Sequence, residues 1–478
     1  MSSARTLERK SLLRWGEVYS EAELYKAAVR VYTKPVFQWR KALATSTDGR
    51  TLYDFAAHGL ARLDAIHEVL RQQRFEFRPA VALHYNFNGK HRTLYIPPWE
   101  ERIVDLLLYR ALNSRLHHWF SPNSYAYRDR KYSLDACQTR IATVLRSAKG
   151  PLYIIKRDIS DYFASIDHGL LLSKLTVLFD PADYLYQLLA QRVRFLFEER
   201  GQLQTATIGI PFGTSIACLL ANIYLTDLDH EVESIPRLRY FRYADDLLLL
   251  CFSRETAAYA AQHLELLLTA LRLKTKPSHQ ANLVLTQEQV LDDTFTSAAC
   301  FRHLGLIFRA GGDVALSRDK LRKIRNLFRF AFRRKKRWRR ESDPRARAQS
   351  LVDIATETIE KGIRNVAILD YYLKHVSEEK QLHLLDRWLA EEILSAVFGG
   401  HKKGHFRRIS FAQLRTMGLP SLSHRRRMIL NGRIESPFFI WQREKATRAF
   451  RGTVAKLCRS AGKTAFSPFP EAAAGKGP

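Results

Sequence analysis

The chain has 478 residues, with 77 lysines and arginines against 48 aspartates and glutamates, a formal net charge of +29. That length allows roughly two to four domains with sizeable cores, and the positive excess points to a polyanionic partner held through phosphate contacts and counterion release. Five scattered cysteines (Cys137, Cys218, Cys251, Cys300, Cys458) without a C-x-x-C pair argue against zinc ribbons and a disulfide framework, and no apolar run approaches a membrane span of about 18 residues.

In chain order, Arg5, Arg9 and Lys10 are followed by no signal-peptide core, so a cytoplasmic protein without a membrane partner is expected. Residues 1–75 read as mostly helical, with 61–71 the clearest amphipathic segment. Phe75-Glu76-Phe77 and residues 84–87 look like strands, Asn88-Gly89 is a good hairpin turn, and residues 90–96 resume the strand until Pro97-Pro98 ends it. A helix is expected over 100–116, with Ile103, Leu106, Leu107 and Leu112 on or near one face. Residues 195–198 and 204–208 suggest a hairpin around Gly201. Residues 209–213 (Gly-Ile-Pro-Phe-Gly) form a breaker-rich loop, after which Thr214 or Ser215 can cap a helix that runs through Leu225. Further helices are expected over 256–273 and 354–396, the latter broken near Gly362 and between Lys374 and Ser377. Residues 320–340 read as a basic helix interleaved with Phe328, Phe330, Phe332 and Trp338. Residues 407–427 are basic again, the segment around Gly418 to Arg427 suggests a platform, and residues 468–478 are Ala/Gly/Pro-rich and expected to be disordered.

The chemistry concentrates in Tyr243-Ala244-Asp245-Asp246, between a β-prone run (238–242) and an apolar run (247–252). Strand, acidic turn, strand is the natural reading. Two neighbouring carboxylates resist joint ionisation unless a cation sits between them, so the turn suits a divalent metal. A partner acid lies upstream, where the buried-type strand 152–155 runs into Lys156-Arg157-Asp158. One strand ending in Asp, beside a hairpin carrying two, is how a polymerase assembles a two-metal site, its ions roughly 3.5–4 Å apart. Hard oxygen ligands make magnesium the expected cation.

The ordered motifs 102–105, 124–128, 158–168, 209–229, 243–246 and 301–305, with Leu220 to Leu225 and then Leu228-Asp229, resemble a bacterial reverse transcriptase of the group II intron-like lineage over roughly residues 70–385. The resemblance implies an α+β right-hand polymerase: fingers, a palm with an antiparallel sheet and helices, a helical thumb, and a helical C-terminal extension. The implied boundaries are a helical region 1–75, fingers 76–150, palm 151–315, thumb 316–385 and a basic extension 386–478. By the same resemblance Asp158, Asp245 and Asp246 are the catalytic metal-binding aspartates, and the Ile159 carbonyl completes the first site. Lys90 and Arg92 match residues that clamp the triphosphate. Phe163 stands where the family places an aromatic under the deoxyribose, and Phe212 and Gly213 lie in the nucleotide-facing loop. Leu304-Gly305 matches the primer-grip turn, and Arg333, Arg334, Lys335, Lys336, Arg337, Arg339 and Arg340 form a nucleic-acid-binding thumb segment.

Two departures stand out. Phe212 replaces the family's usual Gln, so stacking can substitute for an amide contact, and His279 stands near a typical Lys; either Lys276 or His279 is a candidate general acid toward pyrophosphate. No Cys/His cluster follows residue 400, since His401, His405, His424 and Cys458 are scattered, so the chain resembles free-standing reverse transcriptases associated with antiviral defence. The leading expectation is an RNA-directed DNA polymerase with two Mg2+ ions and dNTP substrates. Its partners are RNA, as a non-coding template or scaffold, and the DNA product, with protein partners or a homo-oligomer left open. The alternatives are a maturase-like RNA-binding protein and an untemplated or protein-primed nucleotidyltransferase.

Overall fold

The computed structural model describes residues 12–33, 45–87, 90–286, 292–360 and 365–434. The turn at Asn88-Gly89, the Lys90 side chain, the break at Gly362, Cys458, the first basic residues and the tail lie outside the described residues. The described residues divide into one unit within 12–133 and 154–281 and a second within 134–153 and 282–434. The fold is α+β, as expected. Among the described residues no helix is long and apolar enough to cross a membrane, and Cys137, Cys218, Cys251 and Cys300 form no disulfide.

The strands of the first unit are β1 (Ala80–Phe87), β2 (Lys90–Ile96), β3 (Ser124–Tyr125), β4 (Leu152–Asp158, in this unit from Ile154), β5 (Leu196–Glu199), β6 (Gln202–Thr205), β7 (Leu238–Tyr243) and β8 (Asp246–Cys251). One sheet has the order β2-β1-β5-β6. The β1–β2 hairpin pairs Phe87 with Lys90, and Pro97-Pro98 stops it because proline has no N–H for a ladder. The β5–β6 hairpin pairs Glu199 with Gln202, two residues earlier than the expected second strand. Arg200 (φ 53°) and Gly201 (φ 78°) are both left-handed, which closes a two-residue turn and fixes that register. Phe75-Glu76-Phe77 is not a strand. The Phe75 N–H donates to the Tyr184 hydroxyl (2.8 Å) and the Phe77 N–H to Gln191 Oε1 (3.1 Å), so side chains satisfy a backbone that no neighbouring strand pairs.

The second sheet of this unit runs β4-β8-β7-β3. It is mixed, not purely antiparallel, because β3 adds parallel to β7 while β7 and β8 form a hairpin. Leu247 to Cys251 are fully buried, as expected of a strand covered on both faces. The helix Ser215–Glu233 carries buried residues around most of its circumference, including Ile216, Leu219, Leu220, Ile223 and Tyr224, and forms the core element. Thr214 caps it, accepting from the Ala217 N–H. Asp105 and Arg192, each about 1% exposed, join the helices Trp99–Arg115 and Tyr184–Val193 through two bonds of 2.7 and 2.6 Å.

The second unit contains β9 (Ala281–Leu285, in this unit from Asn282) parallel to β10 (Thr296–Ala298), and the antiparallel sheet β11 (Cys300–His303), β12 (Leu306–Arg309) and β13 (Val314–Leu316). Helices Arg318–Arg334, Pro344–Glu360, Asn365–His375 and Glu379–Phe398 follow, with Phe328, Phe332, Leu351, Ile354, Leu389 and Ile393 in their shared core. The helix expected over 320–340 ends at Arg334 and gives way to a 3-10 turn, Lys336–Arg340. The Trp338 indole N–H donates to the Phe332 carbonyl (3.0 Å), and Lys335 and Arg337 both pair with Glu357, so a dense run of cations is relieved by turning toward an acid on the next helix. The basic stretch 407–427 is helical over Phe411–Thr416 and Leu422–Leu430, and one of its cations points inward: Arg425 is buried in a two-point pair with Asp370 (2.7 and 3.0 Å).

Candidate active site

The β7–β8 hairpin pairs Tyr243 with Asp246, which leaves Ala244 and Asp245 as the whole turn. Ala244 adopts φ 57°, a left-handed conformation uncommon outside glycine and costing roughly 1–2 kcal/mol. The surroundings must over-determine it. Beneath it lies Arg242, with no exposed surface. Its Nη1 donates to the Ala244 carbonyl (3.2 Å) and to Asn222 Oδ1 (3.1 Å), its Nε and Nη2 donate to the two oxygens of Asp229 (2.7 and 2.6 Å), and Nη2 also donates to Ser124 Oγ (2.6 Å). The Tyr240 hydroxyl adds a third bond to Asp229 (2.8 Å). Burial works against the charge on Arg242, and Asp229 overcomes it, so the guanidinium is held above its ordinary range.

Sequence reasoning missed this clamp. Its signal is present: Leu238, Tyr240 and Arg242 share one face of β7, so Arg242 points where the apolar residues point, and Asn222 and Asp229 sit seven apart on one face of an apolar helix. Buried charges on core faces need partners, and these are each other's.

Asp158 ends β4 beside the acidic turn, where the Ile159 N–H donates to the Asp245 carbonyl (3.1 Å). On the other side residues 274–276 run alongside: Ser160 N–H to Lys274 O (2.7 Å), Lys276 N–H to Asp158 O (2.8 Å). That pairing aims the Lys276 ammonium at Asp158 Oδ1 (3.2 Å) and the Ile159 carbonyl (3.1 Å). Lys156 Nζ lies 4.0 Å from Asp246 Oδ1. The Asp245 carboxyl is raised above the usual carboxylate range by burial first and then by repulsion from Asp158. His279 lies on the exposed turn Pro277–His279, its Nδ1 2.9 Å from Ser278 Oγ.

Among the described residues no three His, Cys, Asp or Glu side chains converge on a common point to hold a metal ion. The donor chemistry nevertheless fits divalent cations. Every candidate donor is a hard oxygen, and two of the expected ligands, Asp158 Oδ1 and the Ile159 carbonyl, already share one positive charge, the Lys276 ammonium.

A second group of residues forms an aromatic wall. The half-buried Phe163 ring lies 5.0 Å from Phe212 and 6.1 Å from Tyr127, both edge-on, and the exposed Arg92 guanidinium carbon is 5.9 Å from the Phe212 centroid. The loop 209–213 is pinned from both ends. Gly209 and Ile210 donate to the Ile166 and Phe163 carbonyls (2.8 and 2.9 Å), and Phe212 accepts from the Tyr95 N–H (2.9 Å). A Cβ on Gly213, at φ 110°, would stand 2.3 Å from Leu94 Cδ1, so only glycine fits where the loop crosses β2.

The remaining expected site residues belong to the second unit. Leu304 (φ 47°) and Gly305 (φ 81°) form the two-residue turn between β11 and β12, and Gln138 Nε2 donates to the Leu304 carbonyl (2.9 Å). Of the seven basic residues between 333 and 340, Lys335 and Arg337 are committed to Glu357, and Arg333, Arg334, Lys336, Arg339 and Arg340 are exposed.

Residues 84–305 match the family model for reverse transcriptase (RNA-dependent DNA polymerase). The chain is 26% identical over 200 residues to the group II intron-encoded protein LtrA of Lactococcus lactis subsp. cremoris, which covers 42% of this chain and 31% of that protein. It is 24% identical over 174 residues to a 91 kDa protein in a cob intron of Schizosaccharomyces pombe, covering 36% of this chain and 21% of that protein. The matches thus span about a third of these relatives' length or less. Among solved structures, telomerase from Candida albicans in complex with a fragment of telomeric RNA aligns with a TM-score of 0.41 and 12% identity, over 76% of this chain and 71% of that one.

Proposed function

We propose that this chain, whose residues 84–305 form a group II intron-like reverse transcriptase domain, is an RNA-directed DNA polymerase that extends a primer with deoxynucleotides by two-metal-ion catalysis. The observation that carries the reading is the convergence of the Asp158 strand and the Asp245-Asp246 turn, joined by the Ile159 to Asp245 backbone bond and held by the Arg242 clamp. In this reading fingers, palm and thumb occupy 76–150, 151–315 and 316–385.

Asp158, Asp245, Asp246 and the Ile159 carbonyl would hold two magnesium ions, whose chemistry is to activate the primer hydroxyl and neutralise charge on the triphosphate. Phe163 walls the sugar side of the nucleotide pocket and excludes a 2′ hydroxyl. Arg92, with Lys90, binds the triphosphate, and Phe212 stacks where the family usually presents an amide. Lys276, not His279, is the cation poised at the carboxylates, and it is the better candidate to give a proton to departing pyrophosphate. Leu304-Gly305 steadies the primer end and residues 333–340 hold the nucleic acid.

The same reading takes RNA as template, a dedicated non-coding RNA as its source, DNA as product and a cytoplasmic setting. The same reading carries a role in antiviral defence. Phage plating on cells carrying wild type or an active-site variant tests that part, and equal plating would remove it. A second reading, untemplated nucleotide addition, is favoured by Phe212 in place of an amide. Primer extension on a defined RNA with Mg2+ separates the two. Templated synthesis needs all four dNTPs and gives the complement on sequencing, whereas homopolymer tails from single dNTPs would defeat it.

A further inference from the structure

The last turns of the helix Arg318–Arg334, the 3-10 turn Lys336–Arg340 and the end of the helix Glu379–Phe398 line an open cavity of about 510 Å3. Its wall includes Asn326, Arg329, Arg333, Trp338, Arg339 and Glu392. Arg329 and Glu392 neutralise each other through two bonds (2.9 and 3.0 Å), which fixes a carboxylate and a guanidinium plane at one side. Arg333 and Arg339 form no ion pair among the described residues and are exposed. Trp338 is half-buried, and its N–H is committed to the Phe332 carbonyl, so its ring is held in place; the Arg339 guanidinium carbon lies 5.2 Å from the ring centroid.

A fixed indole, a free amide, an anchored carboxylate and two unneutralised guanidiniums around one cavity suit a molecule that is flat and aromatic at one end and anionic at the other. A simple anion would use the arginines and leave Trp338 and Asn326 idle. An apolar ligand would desolvate Arg333 and Arg339 without compensation. The volume lies within the roughly 300–1,000 Å3 of small-ligand sites. We propose that this cavity takes a single unstacked nucleotide, its base against Trp338 and Asn326 and its phosphate on Arg333 and Arg339. The inference deepens the proposed function, resting on the nucleic-acid-binding part of it, and makes the segment a base-capturing site instead of a uniform basic surface. The nucleotide comes from a bound single strand or from the free pool.

The test uses the full chain and a fluorescein-labelled single-stranded RNA dodecamer read by anisotropy. Ala396→Phe fills the cavity without changing charge. It is expected to weaken binding about tenfold, the scale of losing one base stack, with an unaltered salt slope and no effect on a fully abasic oligomer. Equal affinity of variant and wild type for the intact oligomer overturns the proposal. Because the variant's fold is itself at stake, wild type is also photocrosslinked to 5-iodouridine oligomers. Attachment at Trp338 supports the site, and attachment exclusively elsewhere overturns it. Adenosine monophosphate that competes at micromolar concentration assigns the site to free nucleotides, and its failure to compete assigns it to the strand. Primer extension by wild type is run in parallel, so a chain that fails to polymerise yet shows cavity-dependent binding refutes the polymerase reading alone.

Discussion

Replacing Asp229 with asparagine removes one charge and almost no volume, yet it strips the fully buried Arg242 of its counterion. Asp229 accepts from Nε, Nη2 and the Tyr240 hydroxyl at 2.6 to 2.8 Å, and both Asp229 and Arg242 have 0% side-chain exposure. Breaking such a pair from one side costs about 3–5 kcal/mol, a large share of the roughly 5–15 kcal/mol that stabilises a typical domain. Asp229→Asn is therefore expected to lower the urea midpoint of unfolding sharply at neutral pH. Removing both charges, Asp229→Leu with Arg242→Met, is expected to recover part of that loss: no buried charge is left unpaired, but the Tyr240 hydroxyl and Asn222 Oδ1 lose their partners in the pair. The double variant still leaves the Ala244 carbonyl without its donor, and the left-handed turn that carries Asp245 loses the group that holds it. Its stability and its activity should separate: unfolding recovered above that of Asp229→Asn, with primer extension still reduced about 100-fold, since a misplacement of about 1 Å costs that much. An Asp229→Asn protein within 1 kcal/mol of wild type, or a double variant that extends primers at the wild-type rate, would refute the reasoning.

Three further outcomes are expected. Lys276→Met removes the cation between Asp158 and the Ile159 carbonyl, a charge-assisted contact on the scale of about 1.5–3 kcal/mol, so the variant should melt below wild type in EDTA. Millimolar Mg2+ should narrow that gap, and an identical gap with and without Mg2+ would count against the shared-cation geometry. Gly213→Ala forces a Cβ onto Leu94 at a φ essentially reserved for glycine, a strain of roughly 1–3 kcal/mol, and is expected to raise the KM for dNTPs with a smaller effect on global stability; an unchanged KM would detach the loop from nucleotide binding. Asp135 pairs with His375 (2.7 Å) and Lys374 (2.8 Å), and chiefly the His375 bond holds its carboxyl down at about 2, from an ordinary 3.8. A depressed acid contributes stability that is complete above its ordinary value and lost as pH falls toward 2. Linkage sets an upper bound of about 2 kcal/mol, which screening of a 36% exposed side chain reduces to roughly 1 kcal/mol. Asp135→Asn should thus be less stable than wild type at pH 7 and indistinguishable from it near pH 2 by acid titration of circular dichroism.

The hairpin at 243–246, the strand ending in Asp158, the Thr214 cap and the stop at Pro97-Pro98 were all legible in the sequence because each is a local signal: a period, a cap, a missing donor. The four-residue cluster Arg242, Asp229, Asn222 and Ser124 was not, because its members are up to 118 positions apart and each reads singly as a surface residue. Phe75-Glu76-Phe77 has strand alternation but no strand beside it, and alternation alone cannot supply a partner. The break after Arg334 was hidden for a related reason: a basic run keeps helical periodicity, whereas Glu357, which draws Lys335 and Arg337 away, lies on another helix. Lys276 could be named as a candidate cation from sequence. Its aim at Asp158 depends on the backbone bridge between residues 158–160 and 274–276, which no local pattern encodes.

The most direct measurement is primer extension on a defined RNA template with Mg2+ and all four dNTPs, wild type set against Asp245→Ala with Asp246→Ala. Wild type should give full-length complementary DNA and the double variant none, while both bind the primer–template duplex. Extension that survives loss of the two aspartates would contradict the account.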